Sequence, residues 1–432
     1  MRPRWTRRTK LAVVLLLAAC GCAPRLVWSG HDPGRELHAQ VFAGGDQEWV
    51  RAGGEEGRHY DRVATEAIVF SREGARVAYA ALDHGRWWMV VGTLRLGPWD
   101  GVAEPRFSPD GRRLAFLAQT GDGWQVVVDG TAGARFEAIQ GRTLQFSADG
   151  AHVAYVANEG VCSRIVVDGD PGECRERIRA LRVTGAGTVA SVVREGAQER
   201  FLLGRTLGPP VDAIGDWTVT DDGRRVAYAA RTGTRWTAVV DGVGSPDCDR
   251  VHSLVFGDRG RRVAWVCRRD NRSAVVIDGV QGEPHPLVSS PVLAAQAPDH
   301  AYVARDGRGA WVRTGSALLG PYAEVAALRV ASGGGMAFLA RLGGQTRVVH
   351  AGEETLLSAP VEESLVLSED GRHWAVIDGD PRVRQLWLTI DGRRVRRVTA
   401  DEVFAGTRGG LAPWLSRQLR AACQRDASGG GI

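Results

Sequence analysis

The residues of this 432-residue chain that could do covalent or metal chemistry are its seven cysteines and ten histidines. Four cysteines form two nearby pairs, Cys162 with Cys174 and Cys248 with Cys267. The first pair flanks a predicted hairpin turning at Asp168-Gly169, which places the two thiols across adjacent strands. The second pair lies in consecutive repeats and is the weaker candidate. Since neither spacing is the CxxC of a zinc site, we interpret all four as disulfide candidates or thiols and predict no metal ligand.

The remaining polar residues form no catalytic motif. The sequence has no GxSxG nucleophile elbow, no HExxH helix and no phosphate-binding Walker loop, and its histidines are scattered singly. Two Asp-Gly-Asp segments, at 168–170 and 378–380, offer paired carboxylates of the kind calcium prefers. Both stand where other repeats have plain turns, so we predict no cofactor and no catalytic residue.

The N-terminal segment has the features of an export signal. Residues 2–10 carry five basic side chains, and an apolar run follows at 11–19. That run is too short for a membrane-spanning helix and is typical of a signal peptide. An exported chain lies in an oxidising compartment, where disulfides persist.

The signal ends in Leu17-Ala18-Ala19-Cys20, which resembles the bacterial lipobox. The resemblance implies cleavage before Cys20 and a diacylglycerol on its thiol, which would anchor the chain to a membrane. Gly21 stands where an aspartate would retain a lipoprotein at the inner membrane, so the outer membrane is expected, with the chain facing the periplasm or the cell surface. The alternative is an ordinary signal peptide with an incidental cysteine.

The charge balance excludes one class of partner. The chain has a formal charge of +5, and the signal segment carries five basic and no acidic residues. The mature chain is therefore neutral by its side chains. Nucleic-acid binding needs a basic face, so we predict no nucleic-acid partner.

The body of the chain repeats with a period of about 37 residues. Each unit contains a short apolar strand, a turn such as Pro109-Asp110-Gly111, and a second strand such as Leu114-Ala115-Phe116. A third strand closes on a second Asp-Gly, as at Asp129-Gly130, and a shorter fourth strand follows. Asp-Gly between apolar runs is a strong hairpin signal because glycine adopts positive φ without strain. The first strands end at positions 70, 107, 146, 183, 219, 256, 293, 330 and 367.

Four strands per repeat of this length predict an all-β fold, a β-propeller. Nine repeats are clear, and a tenth at the N-terminus is degenerate. Because propellers commonly have four to eight blades, a large ring, a smaller ring with terminal repeats packed elsewhere, and two small rings all remain open. The recurring aromatic residues of the first and second strands are expected to pack between blades.

The predicted organisation has four parts. They are a lipoprotein signal peptide at 1–19, a lipid-anchored linker with the degenerate repeat at 20–64, the propeller repeats at 65–403, and a C-terminal helix and tail at 404–432. The helix prediction rests on Pro413 as a first helical residue and on apolar residues at helical spacing from Trp414 to Cys423.

The stretch Phe107-Ser108-Pro109-Asp110-Gly111-Arg112-Arg113-Leu114-Ala115-Phe116 resembles the TolB-type, WD-like propeller repeat, whose hallmark is FSPDG followed by a strand of the form RLAF. The resemblance spans about residues 65–403. It implies the fold but no particular function, because its aspartate and glycine shape a turn. Repeats of this type occur in the periplasmic Tol–Pal protein, in propellers attached to peptidases and in other exported proteins.

We therefore expect a non-enzymatic, lipid-anchored propeller that binds envelope proteins as a scaffold. The alternative is a site at the ring axis that binds a small molecule or a glycan, or that acts on it as a hydrolase or lyase. The distinctive residues of the repeat are explained by turns and packing, so function must lie where the repeats differ.

The lipid anchor can be tested directly. Replacing Cys20 with alanine should abolish labelling of the exported chain by a palmitate analogue, because the acceptor thiol is lost. Cys22→Ala should leave labelling intact, since Ala19 stands where the lipobox has a large aliphatic residue for that register. Labelling that persists in the Cys20→Ala chain would exclude Cys20 as the acceptor.

Overall fold

The structure is a computed structural model that describes residues 24–31, 37–71, 76–315, 317–380, 385–399, 415–416 and 418–423. Its strands form ten antiparallel sheets, which we number blades 1 to 10 along the chain. Each blade carries four strands in sequence order, except that the first strand of blades 4 and 8 is split into two short pieces. The all-β propeller architecture is therefore confirmed, and the degenerate N-terminal repeat is a complete four-stranded sheet.

The first four blades comprise strands β1 to β17. Blade 1 contains β1 (Arg25–His31), β2 (His38–Gly44), β3 (Gln47–Ala52) and β4 (Glu55–Tyr60). Blade 2 contains β5 (Arg62–Phe70), β6 (Val77–Asp83), β7 (Arg86–Val91) and β8 (Leu94–Trp99). Blade 3 contains β9 (Gly101–Phe107), β10 (Leu114–Thr120), β11 (Gly123–Val128) and β12 (Thr131–Phe136). Blade 4 contains β13 (Ala138–Ile139), β14 (Gln145–Phe146), β15 (Val153–Glu159), β16 (Cys162–Val167) and β17 (Asp170–Pro171).

In each of the next three blades the fourth strand has only two residues. Blade 5 contains β18 (Arg177–Val183), β19 (Val189–Glu195), β20 (Gln198–Leu203) and β21 (Thr206–Leu207). Blade 6 contains β22 (Ala213–Val219), β23 (Val226–Thr232), β24 (Arg235–Val240) and β25 (Val243–Gly244). Blade 7 contains β26 (Arg250–Gly257), β27 (Arg262–Arg269), β28 (Arg272–Ile277) and β29 (Val280–Gln281), with a 3-10 turn at Asp258–Gly260.

The last three blades have longer fourth strands. Blade 8 contains β30 (Leu287–Val288), β31 (Val292–Leu293), β32 (His300–Asp306), β33 (Gly309–Thr314) and β34 (Leu318–Tyr322). Blade 9 contains β35 (Glu324–Val330), β36 (Met336–Leu342), β37 (Gln345–His350) and β38 (Glu353–Leu357), followed by a 3-10 turn at Glu362–Ser364. Blade 10 contains β39 (Val366–Leu367), β40 (Trp374–Asp380), β41 (Gln385–Ile390) and β42 (Arg393–Val398).

The chain divides into two compact units, Met1–Cys174 with blades 1 to 4 and Arg175–Ile432 with blades 5 to 10. Among the described residues, no helix has both the length and the apolar character needed to cross a bilayer.

The Asp-Gly turn after the first strand is held by a small set of hydrogen bonds. In blade 3 the hydroxyl of Ser108 donates to Asp110 Oδ1 at 2.5 Å, and the Arg112 N–H donates to the same oxygen at 3.1 Å. The Ser108 hydroxyl in turn accepts the Arg113 N–H at 2.9 Å. Gly111 has φ 70°, a conformation that favours glycine. The local sequence therefore specifies the turn without help from distant residues.

Second strands such as β10 bury both of their faces, one against each neighbouring blade. On β10 the side chains of Leu114 and Phe116 join the cluster shared with blade 2, while Ala115 and Leu117 join the cluster shared with blade 4. Phe116 is fully buried, which contributes about 1.5–3 kcal/mol. The two-residue period of a strand thus explains why these segments are almost continuously apolar.

A recurring arginine connects successive blades, and we call it the interblade arginine. In blade 6, Arg225 Nε donates to Asp241 Oδ2 at 2.8 Å. Its Nη1 donates to the carbonyls of Gly260 and Arg261 in the turn of blade 7. Its guanidinium also lies 5.2 Å from the ring centre of Phe256. The equivalent interblade arginines are Arg76, Arg113 and Arg262.

The aspartate at the end of the third strand serves both blades. Asp241 Oδ1 accepts the Val226 N–H at 2.9 Å, while its Oδ2 accepts from the interblade arginine. Asp129 and Asp278 make the same two contacts in their blades. This second Asp-Gly is therefore more than a turn, because it links its own hairpin to the next blade.

The predicted C-terminal helix is present at residues 415–416 and 418–423. Leu415, Leu419 and Ala422 are buried against one face of blade 10, in a cluster that includes Ile377. The opposite face of that blade, including Trp374, packs on blade 9. The helix therefore covers the apolar surface that no further blade covers within this unit.

The interblade arginine makes a measurable contribution to stability. Arg225→Met keeps the aliphatic stem but removes the bonds to Asp241 and to the next turn. We expect a loss of about 1–2 kcal/mol in unfolding free energy, the strength of charge-assisted hydrogen bonds reduced for partial exposure. Urea unfolding measures it.

The matched control is Arg224→Met at the adjacent residue, whose side chain is 85% exposed and lies 4.0 Å from Asp222. That change should stay within about 0.5 kcal/mol of the wild type. Equal losses in the two variants would contradict a special role for Arg225.

The turn aspartates predict acid sensitivity. The Thr220 hydroxyl and the Arg224 N–H hold the pKa of Asp222 below its usual value of 3.8. Because the unfolded chain binds the proton more tightly, this contribution is complete above pH 3.8 and is lost as pH falls through the lowered pKa. The same shift occurs at Asp110, Asp149 and Asp370.

Urea midpoints should therefore decrease between pH 5 and pH 3. Asp222→Asn should show a smaller decrease, because it removes one of the shifted carboxylates. Asp221→Asn is the control, because, among the residues that the structure describes, the Asp221 carboxylate makes no hydrogen bond inside the turn and pairs instead with Arg182 of blade 5. A pH slope that Asp222→Asn leaves unchanged would contradict the assignment.

Candidate functional site

A largely apolar cavity lies between blades 6 and 7, and we call it the 6/7 cavity. Its volume is about 580 Å³, within the range of small-ligand and anchor-residue pockets. Its walls come from β24 and the following loop on one side and from β27 and β28 on the other.

Strand alternation determines which side chains line this cavity. On β27, every second residue faces it, namely Val263, Trp265 and Cys267. On β24, Ala238 and Val240 do the same. These are the faces that pack together elsewhere between blades, so the cavity is an incompletely filled interblade core.

A disulfide between Cys248 and Cys267 crosses one end of the cavity and joins the loop of blade 6 to β27. The loop is held on β24 by backbone hydrogen bonds between Cys248 and Trp236 at 2.7 and 2.9 Å. The Ser245 N–H donates to Ala238 O at 2.8 Å, and the Ser245 hydroxyl accepts the Ala238 N–H. The outer edge of β24 is thus capped, which leaves side chains as the means of binding.

The buried indole of Trp265 is the polar group that lines this wall. Trp265 is 3% exposed, and its Nε1 has no hydrogen-bond partner within the described part of the chain. A buried unpaired N–H is unfavourable, so a carbonyl or hydroxyl oxygen that reached it would be stabilised.

The charged residues at the cavity are already paired. Arg225 pairs with Asp241, and Asp278 pairs with Arg262. Arg261 pairs with Asp258. The lining therefore presents no unpaired nucleophile, base or net charge, and its chemistry suits binding of apolar groups.

One exposed valine lines the cavity. Val243 on β25 is 72% exposed and pairs with Val240 of β24, so both side chains lie on the cavity face. Val280 on β29 is 74% exposed but pairs with Ile277, whose side chain packs towards blade 8, so it lies on the opposite face of its sheet. Val243 extends the apolar surface from the cavity to the outside of blade 6.

The other sequence-predicted residues lie elsewhere. A disulfide joins Cys162 to Cys174 in blade 4. Cys20 lies outside the described residues. Asp168 pairs with His152 and accepts the Val153 N–H, both within blade 4, so its carboxylate stabilises its own hairpin rather than a calcium site.

Asp378, in the second Asp-Gly-Asp segment, is buried and accepts the Ser358 and Ala359 N–H groups at 2.9 Å each. Among the residues that the structure describes, no three His, Cys, Asp or Glu side chains converge as a metal site requires.

Sequence reasoning missed both the interblade arginine and the 6/7 cavity. The arginine had a signal, since Arg113 and Arg225 directly precede a second strand, Arg262 begins one, and an Asp-Gly follows the third strand of each of these blades. The cavity had none, because its lining residues are ordinary apolar strand residues.

No protein-family model matches the sequence, and no curated protein matches it significantly. Solved structures that resemble the fold include a eukaryotic initiation factor, at 12% identity over 85% of both chains with a TM-score of 0.38. The Cps50 (Swd1) propeller domain of Myceliophteria thermophila matches at 13% identity over 57% of this chain and 95% of its own, with a TM-score of 0.27. TolB from Acinetobacter baumannii matches at 16% identity over 64% of this chain and 70% of its own, with a TM-score of 0.23.

These likenesses concern the fold and carry no information about function. The class of the protein, a β-propeller, rests on its own ten four-stranded blades.

Proposed function

We propose that this chain is a non-enzymatic, lipid-anchored scaffold of the bacterial cell envelope, and that a partner protein docks at the 6/7 cavity. The observation that carries the proposal is an apolar cavity of about 580 Å³ that continues onto the exposed Val243. The envelope location is supported by the export signal and the lipobox ending in Cys20. The outer membrane is supported by Gly21.

The partner's contribution is a segment with bulky apolar side chains. The ion pairs at the cavity neutralise each other, so they offer no net attraction to an anion or a cation. The capped edge of β24 disfavours addition of a strand by the partner. Insertion of one or two apolar anchors, with a carbonyl near Trp265, matches the lining and is the usual energetic centre of an interface.

Binding of a small molecule or glycan is the second candidate. The volume of the 6/7 cavity fits such a ligand, but the exposed Val243 at its border favours a larger surface contact.

Site-specific photocrosslinking in the native envelope tests the docking site. A photoreactive residue at position 243 or at the exposed position 281, both of which line the cavity, should give a discrete protein adduct. The same residue at position 161 should not, because Val161 is 94% exposed but does not line the cavity. Adding Val243→Asp to the 281 probe should remove the adduct, since a carboxylate opposes apolar contact.

Val161→Asp with the 281 probe is the matched control and should keep the adduct. Adducts of equal yield from positions 161 and 281, or none from 243 and 281, would contradict the proposed site. A low-molecular-weight adduct in place of a protein would support the small-ligand alternative.

A further inference from the structure

Blade 8 has an aspartate at the position where blades 2, 3, 6 and 7 have the interblade arginine. In blade 6 the backbone carbonyl of Arg225 accepts the Thr220 N–H at 3.1 Å. In blade 8 the carbonyl of Asp299 accepts the Ala294 N–H at 2.9 Å, which places Asp299 at the same position. The charge at that position is therefore reversed.

The acidic partner is also missing from blade 8. Asp241 of blade 6 directly follows the third-strand residue that pairs with Ala227. The residue that pairs with Ala301 in blade 8 is followed by Gly315. Blade 8 thus has a carboxylate where blades 6 and 7 have a guanidinium, and no side chain where they have a carboxylate. Blade 9 has a glycine, Gly335, at the arginine position.

A cavity of about 530 Å³ lies at this junction between blades 8 and 9, and we call it the 8/9 cavity. Its lining includes Arg262, Asp299, His300, Gly315, Gly335 and His350.

The missing pair alone does not explain the cavity. Blade 5 also lacks the pair, having Thr188 at the arginine position. There the next turn closes onto it, since a Cβ at Gly223 would lie only 2.8 Å from the Cβ of Thr188. The turn of blade 9 comes equally close to Asp299, yet a cavity lined by Asp299 and Gly335 remains at this junction.

The carboxylate of Asp299 is the unmatched charge of this cavity. Asp299 is exposed, and its side chain has no hydrogen bond or ion pair within the described part of the chain. It lies against the turn of blade 9, with Oδ2 2.8 Å from where a Cβ at Gly334 would stand. The nearby Arg262 already pairs with Asp278 and donates to the Pro298 carbonyl.

The two histidines do not balance this charge. His300 Nδ1 lies 3.4 Å from Arg262 Nη1, and burial together with that guanidinium lowers the pKa of His300. The imidazole is therefore neutral at neutral pH. His350 donates through Nε2 to the Gly371 carbonyl at 2.8 Å, in the tautomer that makes this bond.

We propose that the 8/9 cavity binds a guanidinium group of a ligand. The ligand would supply from outside the group that Arg113, Arg225 and Arg262 supply from within the chain at other junctions. Asp299 would hold it by charge-assisted hydrogen bonds. The source is an arginine side chain of a protein or a small free guanidine, and the site is separate from the 6/7 cavity.

Calorimetric titration with acetyl-arginine-amide tests the site on the full mature chain. Acetyl-citrulline-amide is the neutral isostere and should bind at least about tenfold more weakly, the effect of losing one charge-assisted hydrogen bond. Asp299→Asn should weaken arginine binding by a similar factor. The matched control is Asp122→Asn, an exposed aspartate in blade 3, which should leave binding unchanged.

A second variant uses the chain's own repeat chemistry. Asp299→Arg introduces the residue that blades 6 and 7 have at this position and should abolish binding while the melting temperature stays at or above that of the wild type. Absence of arginine binding to the wild type, equal binding of citrulline, or unchanged binding in both Asp299 variants would overturn the proposal.

Comparing the peptide Ala-Arg-Ala with methylguanidinium distinguishes the sources. Binding of the peptide more than about tenfold tighter supports a protein arginine, and similar affinities support a free guanidine.

Discussion

Where blades 2, 3, 6 and 7 stack on the next blade, their position depends on a guanidinium placed between two turns. Apolar faces supply most of the attraction between blades, but they are smooth and do not by themselves specify how one sheet is positioned on the next. The fork of Arg225 does, because it binds Asp241 of its own blade and two carbonyls of the next turn at the same time. Arginine suits this position since its donors are planar and permanently charged. The repeat can therefore vary its core residues while keeping the same geometry.

Departures from that rule are where the repeats acquire distinct surfaces. Between blades 6 and 7 the arginine is kept, and an apolar cavity lies beside the Cys248–Cys267 disulfide and the exposed Val243. Between blades 8 and 9 Asp299 stands at the arginine position and lines a cavity in which its carboxylate has no partner among the described residues. At blade 10 the apolar face is covered by the C-terminal helix. One repeat thus yields an apolar site, a charged site and a covered end.

The short fourth strands also decide how this protein can bind. An open strand edge would invite strand addition or aggregation. In blades 6 and 7 the loop after the fourth strand returns to pair with the third strand, at Trp236 with Cys248 and at Ser273 with His285. Since the backbone donors and acceptors are used there, recognition at this surface relies on side chains and shape.

The sequence by itself determined the repeat, the four strands of each blade, the turn chemistry at residues such as Ser108 and Asp110, and the C-terminal helix. These depend on contacts between residues close in the chain, or on a two-residue or helical period, which one sequence displays. The N-terminal repeat looked degenerate because its turns lack Asp-Gly, yet strand pairing made it complete. The tertiary structure alone decided which apolar residues leave a cavity. Val263 and Leu114 occupy the same position in their repeats. Val263 lines the 6/7 cavity, whereas Leu114 packs in the core between blades 2 and 3. Only the tertiary structure showed that Asp299 stands at the position of the interblade arginine. In blade 6 that arginine binds carbonyls 35 and 36 residues further along the chain, a contact that no local sequence pattern encodes.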